Sequence, residues 1–403
     1  MSKVEREQRA QMQAQVMLPP DARILVVKMA GIGDLLLATP ALRALRETYP
    51  RAQIDLLVTP ASAGILDGWD VINRSIVLDK YLFDYPQQIL KNPRNLRRLS
   101  PLWRDLRDGH YDAVLLMHHL TLPFGRLKHQ LLVRATGAKW RVGLDNGHAG
   151  FLNVRVPDNG FGAIHEAEYN LAIAQAVGAT TSETRLTVPL SEEERRQARQ
   201  LVYGEQGPED AAHPIIAMHP GSGGYSTARR WEPERFAQVA DTLFREAGGQ
   251  LLLLGGPEEA SLHEQIAGML QSGVPVRSLA GKGSIKVTAA SLELADLFIG
   301  NDSALMHLAV AGDTPTVAIF GLTNHKAWGP FTGNDPQRRA IVVRLDLPCM
   351  PCFYRGHSLG TPEGCATRDC LGQLSVDPVA TAARRLLRET EQARDVEQTR
   401  RSI

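Results

Sequence analysis

The segment Gly300-Asn301-Asp302-Ser303-Ala304-Leu305-Met306-His307 follows the apolar run Leu297-Phe298-Ile299 and reads as a buried strand turning straight into a helix. A helix that begins there presents unpaired backbone N–H groups and the positive end of its dipole at one spot, which suits a phosphate. Far upstream, Ile24-Leu25-Val26-Val27 runs into Gly31-Ile32-Gly33-Asp34, a second strand-to-turn junction, with Asp34 just past the carboxyl end of the first strand. Two such junctions almost a whole chain apart suggest one active site built from two domains.

Open parallel sheets bind ligands beyond the carboxyl ends of their strands, and further polar groups of the second half fall at such positions. The loop His219-Pro220-Gly221-Ser222-Gly223-Gly224 follows the strand Ile215–Met218 and offers backbone that can approach phosphate closely. Arg229-Arg230-Trp231 supplies cations and a stacking surface. Gly255-Gly256-Pro257-Glu258-Glu259 ends the next strand, and either carboxylate could hold ribose hydroxyls. Together with Asp302, Ser303, Ala304 and His307, these groups point to a nucleotide phosphate.

The elements that must position them alternate regularly. Strands are expected at Ile24–Lys28, Ile54–Val58, Ser75–Leu78 and Ala113–Met117, with Thr39-Pro40 opening a helix as N-cap and N1 or bending one that starts earlier. In the second half, strands at Leu251–Leu254, Val276–Leu279 and Thr316–Phe320 interleave with helices at Glu258–Leu270, Ser284–Leu294 and Ser303–Ala311, and another begins near Pro233. This rhythm implies an α/β fold with parallel sheets covered on both faces. The breaker-rich stretch Gly204–Asp210 reads as the interdomain linker. The expected organisation is an extension at 1–20, a domain at 21–203, a second at 204–375, and a C-terminal helix with a charged tail at 376–403. Pro378–Leu387 is expected to dock on the first domain, and the end after Glu389 to fray.

Composition narrows the class. A chain of 403 residues fits two domains of roughly 150–200 residues each. A net charge of +1 gives no global field for nucleic acid. No apolar run approaches the roughly 20 residues that span a bilayer, and residues 1–20 lack the apolar core of a signal peptide, so a cytoplasmic location is expected. The four cysteines, Cys349, Cys352, Cys365 and Cys370, cluster instead of spreading as in a secreted disulfide scaffold. Paired thiolates at this spacing can wrap Zn²⁺ or iron, or pack a loop in the reduced state.

The order of these motifs, from Val27-Lys28-Met29-Ala30-Gly31-Ile32-Gly33-Asp34 through His219-Pro220-Gly221-Ser222, Arg230-Trp231, Leu254-Gly255-Gly256-Pro257 and Gly300-Asn301-Asp302-Ser303 to Trp328-Gly329-Pro330, resembles glycosyltransferase family 9. The resemblance implies a GT-B architecture: two Rossmann-like, doubly wound domains facing a central cleft, acceptor on the first and sugar nucleotide on the second. It implies inverting transfer of heptose from ADP-heptose, with no cofactor required for catalysis. Asp34 matches the family's catalytic base, against the alternative of a helix cap. Arg229 matches a cation that stabilises the leaving diphosphate, with Arg230 competing for the role. His307 is either a diphosphate contact or a packed ring. Donor contacts are implied at Gly33, His219, Gly221, Ser222, Arg230, Gly256, Glu258 or Glu259, Asp302, Ser303, Ala304 and His307. Ala304 replaces a usual glycine, adding a methyl and removing freedom at positive φ. Related protein-modifying heptosyltransferases carry a four-cysteine iron centre, which implies a structural metal at Cys349, Cys352, Cys365 and Cys370.

The expected partners are a nucleotide-diphosphate sugar and an anionic glycolipid or glycan, such as a lipopolysaccharide core. Basic stretches at Lys91, Arg94, Arg97, Arg98, Arg104 and Arg107, and at Arg126, Lys128, Arg134, Lys139 and Arg141, are either solvated faces or a peripheral contact with the inner membrane. A protein O-heptosyltransferase, a sugar-nucleotide epimerase and a non-catalytic sugar-nucleotide-binding protein are the competing readings.

Overall fold

The computed structural model describes residues 16–80, 99–204, 213–224, 226–335, 339–352 and 364–401, with only the backbone described beyond residue 392. Its contacts divide the chain into two units, Met1–Arg185 and Leu186–Ile403.

In the first unit the strands are β1 (Arg23–Val27), β2 (Gln53–Val58), β3 (Arg74–Val77), β4 (Ala113–Leu116), β5 (Trp140–Asp145) and β6 (Val154–Pro157). They pair in the order β3-β2-β1-β4-β5-β6, every neighbour parallel. Connecting helices are α1 (Ile32–Leu36), α2 (Thr39–Thr48), α3 (Leu99–Asp108), α4 (Pro123–Ala135) and α5 (Glu166–Gln175). β1 and β4 are almost wholly buried, as strands covered on both faces must be.

The sequence leaves Thr39-Pro40 either opening the first helix or bending one that starts earlier, and the structure takes neither course: the chain makes two helices with a break between them. Asp34 lies in the first turn of α1, a separate short helix, while Ala38 is the N-cap residue of α2 and Pro40 sits at its start. Thr39 Oγ1 instead donates to Leu36 O at 2.7 Å, bridging the break between the two helices.

The second unit opens with α6 (Glu192–Tyr203) and holds strands β7 (Ile215–His219), β8 (Gln250–Leu253), β9 (Val276–Ser278), β10 (Leu297–Asn301), β11 (Thr316–Ile319) and β12 (Ala340–Val343). Their order, β12-β11-β10-β7-β8-β9, repeats that of the first sheet once renumbered, again with parallel neighbours throughout. Its helices are α7 (Pro233–Ala247), α8 (Ala260–Met269), α9 (Ile285–Leu292), α10 (Ala304–Ala311), α11 (His325–Trp328), α12 (Asp369–Gly372) and α13 (Val376–Arg401).

Two features of the second unit differ from expectation. Helix α6 was expected with the first domain, but it packs on α9, burying Ala198 against Val287 and Ala290 and pairing Arg195 with Glu293. Helix α13 docks on the second unit, not the first: Val379, Ala383, Leu386 and Leu387 join its core, and Arg384 pairs with Glu246. It also runs on to Arg401, where a frayed end after Glu389 was expected.

Both sheets reverse direction once, between β1 and β4 and between β7 and β10, and each reversal opens a crevice at the carboxyl ends of its strands. Leu386→Ala should destabilise the second unit by about 2–5 kcal/mol through the cavity it leaves, whereas Arg388→Ala on the exposed side should stay within about 0.5 kcal/mol. Denaturant titration of both variants checks this.

Candidate active site

At the reversal of the second sheet, the loop after β7 is folded around a carboxylate of the protein itself. Glu259, 2% exposed, accepts from Ser222 N at 3.1 Å and Gly223 N at 3.2 Å through Oε1, and from Gly256 N at 3.2 Å through Oε2. His219 Nε2 lies 3.0 Å from Oε2 and Arg230 Nη2 3.4 Å from Oε1. Burial pushes the Glu259 carboxyl upward, but the His219 contact and the Gly256 and Gly223 N–H groups outweigh it and hold the group down at about 2. Close approach requires glycine at 221, since a Cβ there would lie 1.8 Å from Glu259 Oε1.

The sequence reads this loop as a phosphate cradle. Instead, its Ser222 and Gly223 donors are already engaged by Glu259, so they are not open to a ligand. Sequence also leaves Glu258 and Glu259 interchangeable; the structure separates them, with Glu258 exposed and Glu259 internal. Trp231, expected as a stacking surface, is fully buried edge-on to Phe236, and its Nε1 donates to Leu374 O at 2.9 Å.

His219 bridges the Glu259 carboxylate and the Ser303 hydroxyl, its Nε2 on Glu259 and its Nδ1 2.8 Å from Ser303 Oγ. Ser303 is the N-cap of α10, yet it makes no side-chain cap. A serine at this position ordinarily accepts from the N–H of the second or third helical residue. Here its hydroxyl is turned to His219, and the first-turn N–H groups of α10 are left without that acceptor. Ala304 does not take a positive φ, so the glycine it replaces is not needed for backbone freedom. Asn301 fixes the same end: Nδ2 donates to Pro220 O at 2.8 Å and Gly221 O at 3.0 Å, while Oδ1 accepts from Trp231 N at 3.0 Å. Sequence reasoning overlooked Asn301 as a site residue, although a buried amide at a strand end was its signal.

The two arginines part company. Arg230 braces the loop, reaching Ser222 Oγ at 3.2 Å and Gly223 O at 3.5 Å besides Glu259. Arg229 donates to Ser222 O at 3.2 Å and pairs with Asp302 at 3.5 Å, and its buried Nε has no hydrogen-bond partner among the described residues. His307 is buried on α10.

The reversal of the first sheet holds Asp34. Burial pushes its carboxyl up and Glu166 adds to that, against the pull of Lys28, Lys80 and the Gly31 N–H, so the group sits above the ordinary aspartate value. Lys28 Nζ donates to Met117 O at 3.1 Å, tying the ends of β1 and β4 together, and Lys80 Nζ, just past β3, donates to Met29 O at 2.6 Å at the end of β1. His118 Nε2 accepts from Met29 N at 2.8 Å, and burial, with His129, Lys28 and Lys80 nearby, holds that ring well below the usual histidine range. His119 is the opposite case. Nδ1 meets Asp158 and Nε2 meets Glu166, each at 2.9 Å. Burial pushes its pKa down, but the two carboxylates prevail and raise it to about 9. The His118/His119, Asp158 and Glu166 cluster was not foreseen as site chemistry; adjacent histidines beyond a strand end were its only trace.

The four cysteines lie near enough for their thiols to shift one another, though not in a ligating arrangement. Cys370 is buried and pushed up to about 11 by burial and by the other three thiols, while Cys349 and Cys365 are exposed. Among the described residues no group of three or more histidine, cysteine or carboxylate side chains is arranged to hold a metal ion. Of the first basic stretch, Lys91, Arg94, Arg97 and Arg98 lie outside the described residues.

Two doubly wound units with this strand order define the GT-B class of fold. The chain belongs to glycosyltransferase family 9 (heptosyltransferase), whose family model matches residues 99–361. It is 29% identical over 315 residues to lipopolysaccharide heptosyltransferase 3 of Escherichia coli K12, covering 75% of this chain and 83% of that one. The glycosyl transferase family 9 structure from Veillonella parvula superposes with a TM-score of 0.71 at 23% identity, covering 94% of this chain and 99% of the other. The Escherichia coli ADP-heptose lps heptosyltransferase II gives 0.67 at 22%, covering 91% and 99%.

The shifted groups make stability fall at both ends of the pH scale. Glu259, ordinarily 4.5 and about 2 when folded, contributes above pH 4.5 and loses its contribution as pH drops toward 2. His119, ordinarily 6.5 and about 9 when folded, contributes fully below pH 6.5 and loses its contribution as pH rises through 9. Urea titrations across pH should show Glu259→Gln flattening the acid limb and costing about 3–5 kcal/mol at neutral pH, because His219 and Arg230 keep no ionised partner.

Proposed function

We propose that this chain transfers heptose from ADP-heptose to a lipopolysaccharide core by a single inverting displacement. The observation that carries the reading is Asp34, a carboxylate at the switch point of the first sheet with its pKa raised. A raised pKa brings a carboxylate nearer the working pH, where it is a better proton acceptor than an exposed aspartate. The names of the relatives support the donor and the acceptor class.

In this reading the acceptor hydroxyl gives its proton to Asp34 as its oxygen attacks the anomeric carbon. The bond from that carbon to the diphosphate oxygen breaks, and ADP leaves with the electron pair. The negative charge that develops on the diphosphate is met by Arg229 and by the N–H groups at the start of α10. His219 and Glu259 act behind them, by keeping the Ser303 hydroxyl turned away from that helix end. Glu258, exposed at the end of the β8 strand, is the carboxylate placed for ribose hydroxyls. The backbone at Gly33 and the His307 ring on α10 complete the proposed contacts, while the Gly256 N–H, like those of Ser222 and Gly223, is taken by Glu259.

The described residues as arranged do not fit a metal ion, so no step passes through one. The structural zinc or iron implied by the cysteine spacing is a question for elemental analysis: a stoichiometric metal would assign it, and its absence would leave the thiols as loop packing. No helix among the described residues is long and apolar enough to cross a membrane. We place the reaction at the cytoplasmic face of the inner membrane, with peripheral contact.

Turnover assays test the roles. Asp34→Asn should lower kcat by about 10²–10⁴-fold while leaving ADP-heptose affinity intact, and Arg229→Ala should lower kcat about 100-fold. In the wild type, kcat/KM should fall as pH drops through an apparent pKa above 3.8, and that limb should vanish in Asp34→Asn. Chelation by EDTA should leave turnover unchanged. Wild-type rates in Asp34→Asn would remove the base, and donor binding without turnover in the wild type would favour a non-catalytic protein.

A further inference from the structure

Leu122, Leu127 and Leu131, at 45%, 48% and 51% exposure, are three of the five large apolar side chains exposed among the described residues. Leu127 and Leu131 lie on α4 and Leu122 is its N-cap residue. Pro123, Leu127, Leu131 and Arg134 are spaced by four, four and three residues, so they form one stripe along the helix, and all are exposed. The opposite face is anchored, with Leu132 and Val133 buried in the core of the first unit.

The charge of this helix has one sign. Its sequence carries Arg126, Lys128 and Arg134 and no aspartate or glutamate, and Lys128 Nζ sits 5.5 Å from the centre of the Phe124 ring. A row of exposed leucines between cations is costly in water and suits an anionic interface, where apolar side chains enter the acyl boundary and cations meet headgroups.

The place of α4 in the fold adds a second observation. From α4, His129 stacks on His118 with ring centres 5.0 Å apart, and His118 accepts the Met29 N–H in the loop that leads to Asp34. The exposed stripe is therefore one ring stack and one hydrogen bond from the loop of the proposed base.

We infer that α4 is a membrane-docking helix, which lies in the plane of a bilayer rich in anionic lipid with Leu127 and Leu131 inserted and Arg126, Lys128 and Arg134 on the headgroups. Its use in bringing a lipid-linked acceptor to Asp34 rests on the proposed function; its existence does not.

Vesicle sedimentation of the full chain tests it, with phosphatidylcholine alone against equal parts of phosphatidylethanolamine and phosphatidylglycerol. The wild type should bind the anionic vesicles and release them in high salt. Leu127→Ser/Leu131→Ser should weaken that partition by roughly tenfold or more, and Lys128→Glu/Arg134→Glu by at least as much. Because Leu127 and Leu131 are exposed, the leucine variant should keep the wild-type melting temperature and the wild-type rate on a delipidated, soluble acceptor; the charge variant, which also gives up the half-buried Lys128 contact with the Phe124 ring, should keep that rate. Unchanged partition in the leucine variant overturns the proposal. So does a wild type that ignores vesicles but sediments as a dimer that the leucine variant dissociates, since the stripe would then join two copies. The partition needs neither donor nor acceptor, so loss of the transfer reading would show separately, as a wild type that binds vesicles and turns over nothing.

Discussion

The arrangement of the second unit depends on one buried carboxylate. Glu259 gathers the loop after β7, the turn after β8 and the Arg230 guanidinium around two oxygens, and it orients His219. An unpaired ionised carboxylate at that depth would be costly, and the donors around it offset the desolvation. Through His219 the effect passes to Ser303 and to the start of α10. What looks in sequence like several weak phosphate motifs is one scaffold built on an internal anion.

The first unit solves a different problem with the same topology. Its crevice holds Asp34 among buried groups of both signs, and two neighbouring histidines are driven apart in charge. His118 is kept neutral by burial and cationic neighbours, whereas His119 is held protonated between two carboxylates. The protonated ring titrates above neutrality and the buried one below it, so neither changes charge near pH 7.

Much of this was legible in the sequence. Parallel strands buried on both faces announce themselves as apolar runs, and β1, β2, β4, β7, β8 and β10 lie within a residue or so of their expected places. Strands β5, β6 and β12 escaped because none is a continuous apolar run: β5 mixes Arg141, Gly143 and Asp145 with its apolar residues, β6 alternates over only four residues and ends on Pro157, and β12 is mostly half-buried. Direction was harder than position. Trp231 follows two arginines and was read as surface, yet in extended backbone neighbouring side chains point opposite ways, and the ring enters the core. Glu258 and Glu259 could not be told apart for the same reason: a single tight turn sends one to solvent and the other inward. The partners of α6 and α13 depend on long-range contacts, which local patterning does not encode.

The uncapped start of α10 has a consequence for the lifetime of the protein. A helix that forgoes its serine cap gives up about 1 kcal/mol of local stability. An anion that fills the gap restores it, and any ligand that binds only the folded form stabilises it by mass action. The second unit should therefore be sturdier when its nucleotide is abundant and more open to proteolysis when it is scarce. Enzyme abundance would then follow precursor supply with no separate sensor, simply because the serine hydroxyl is turned toward a histidine.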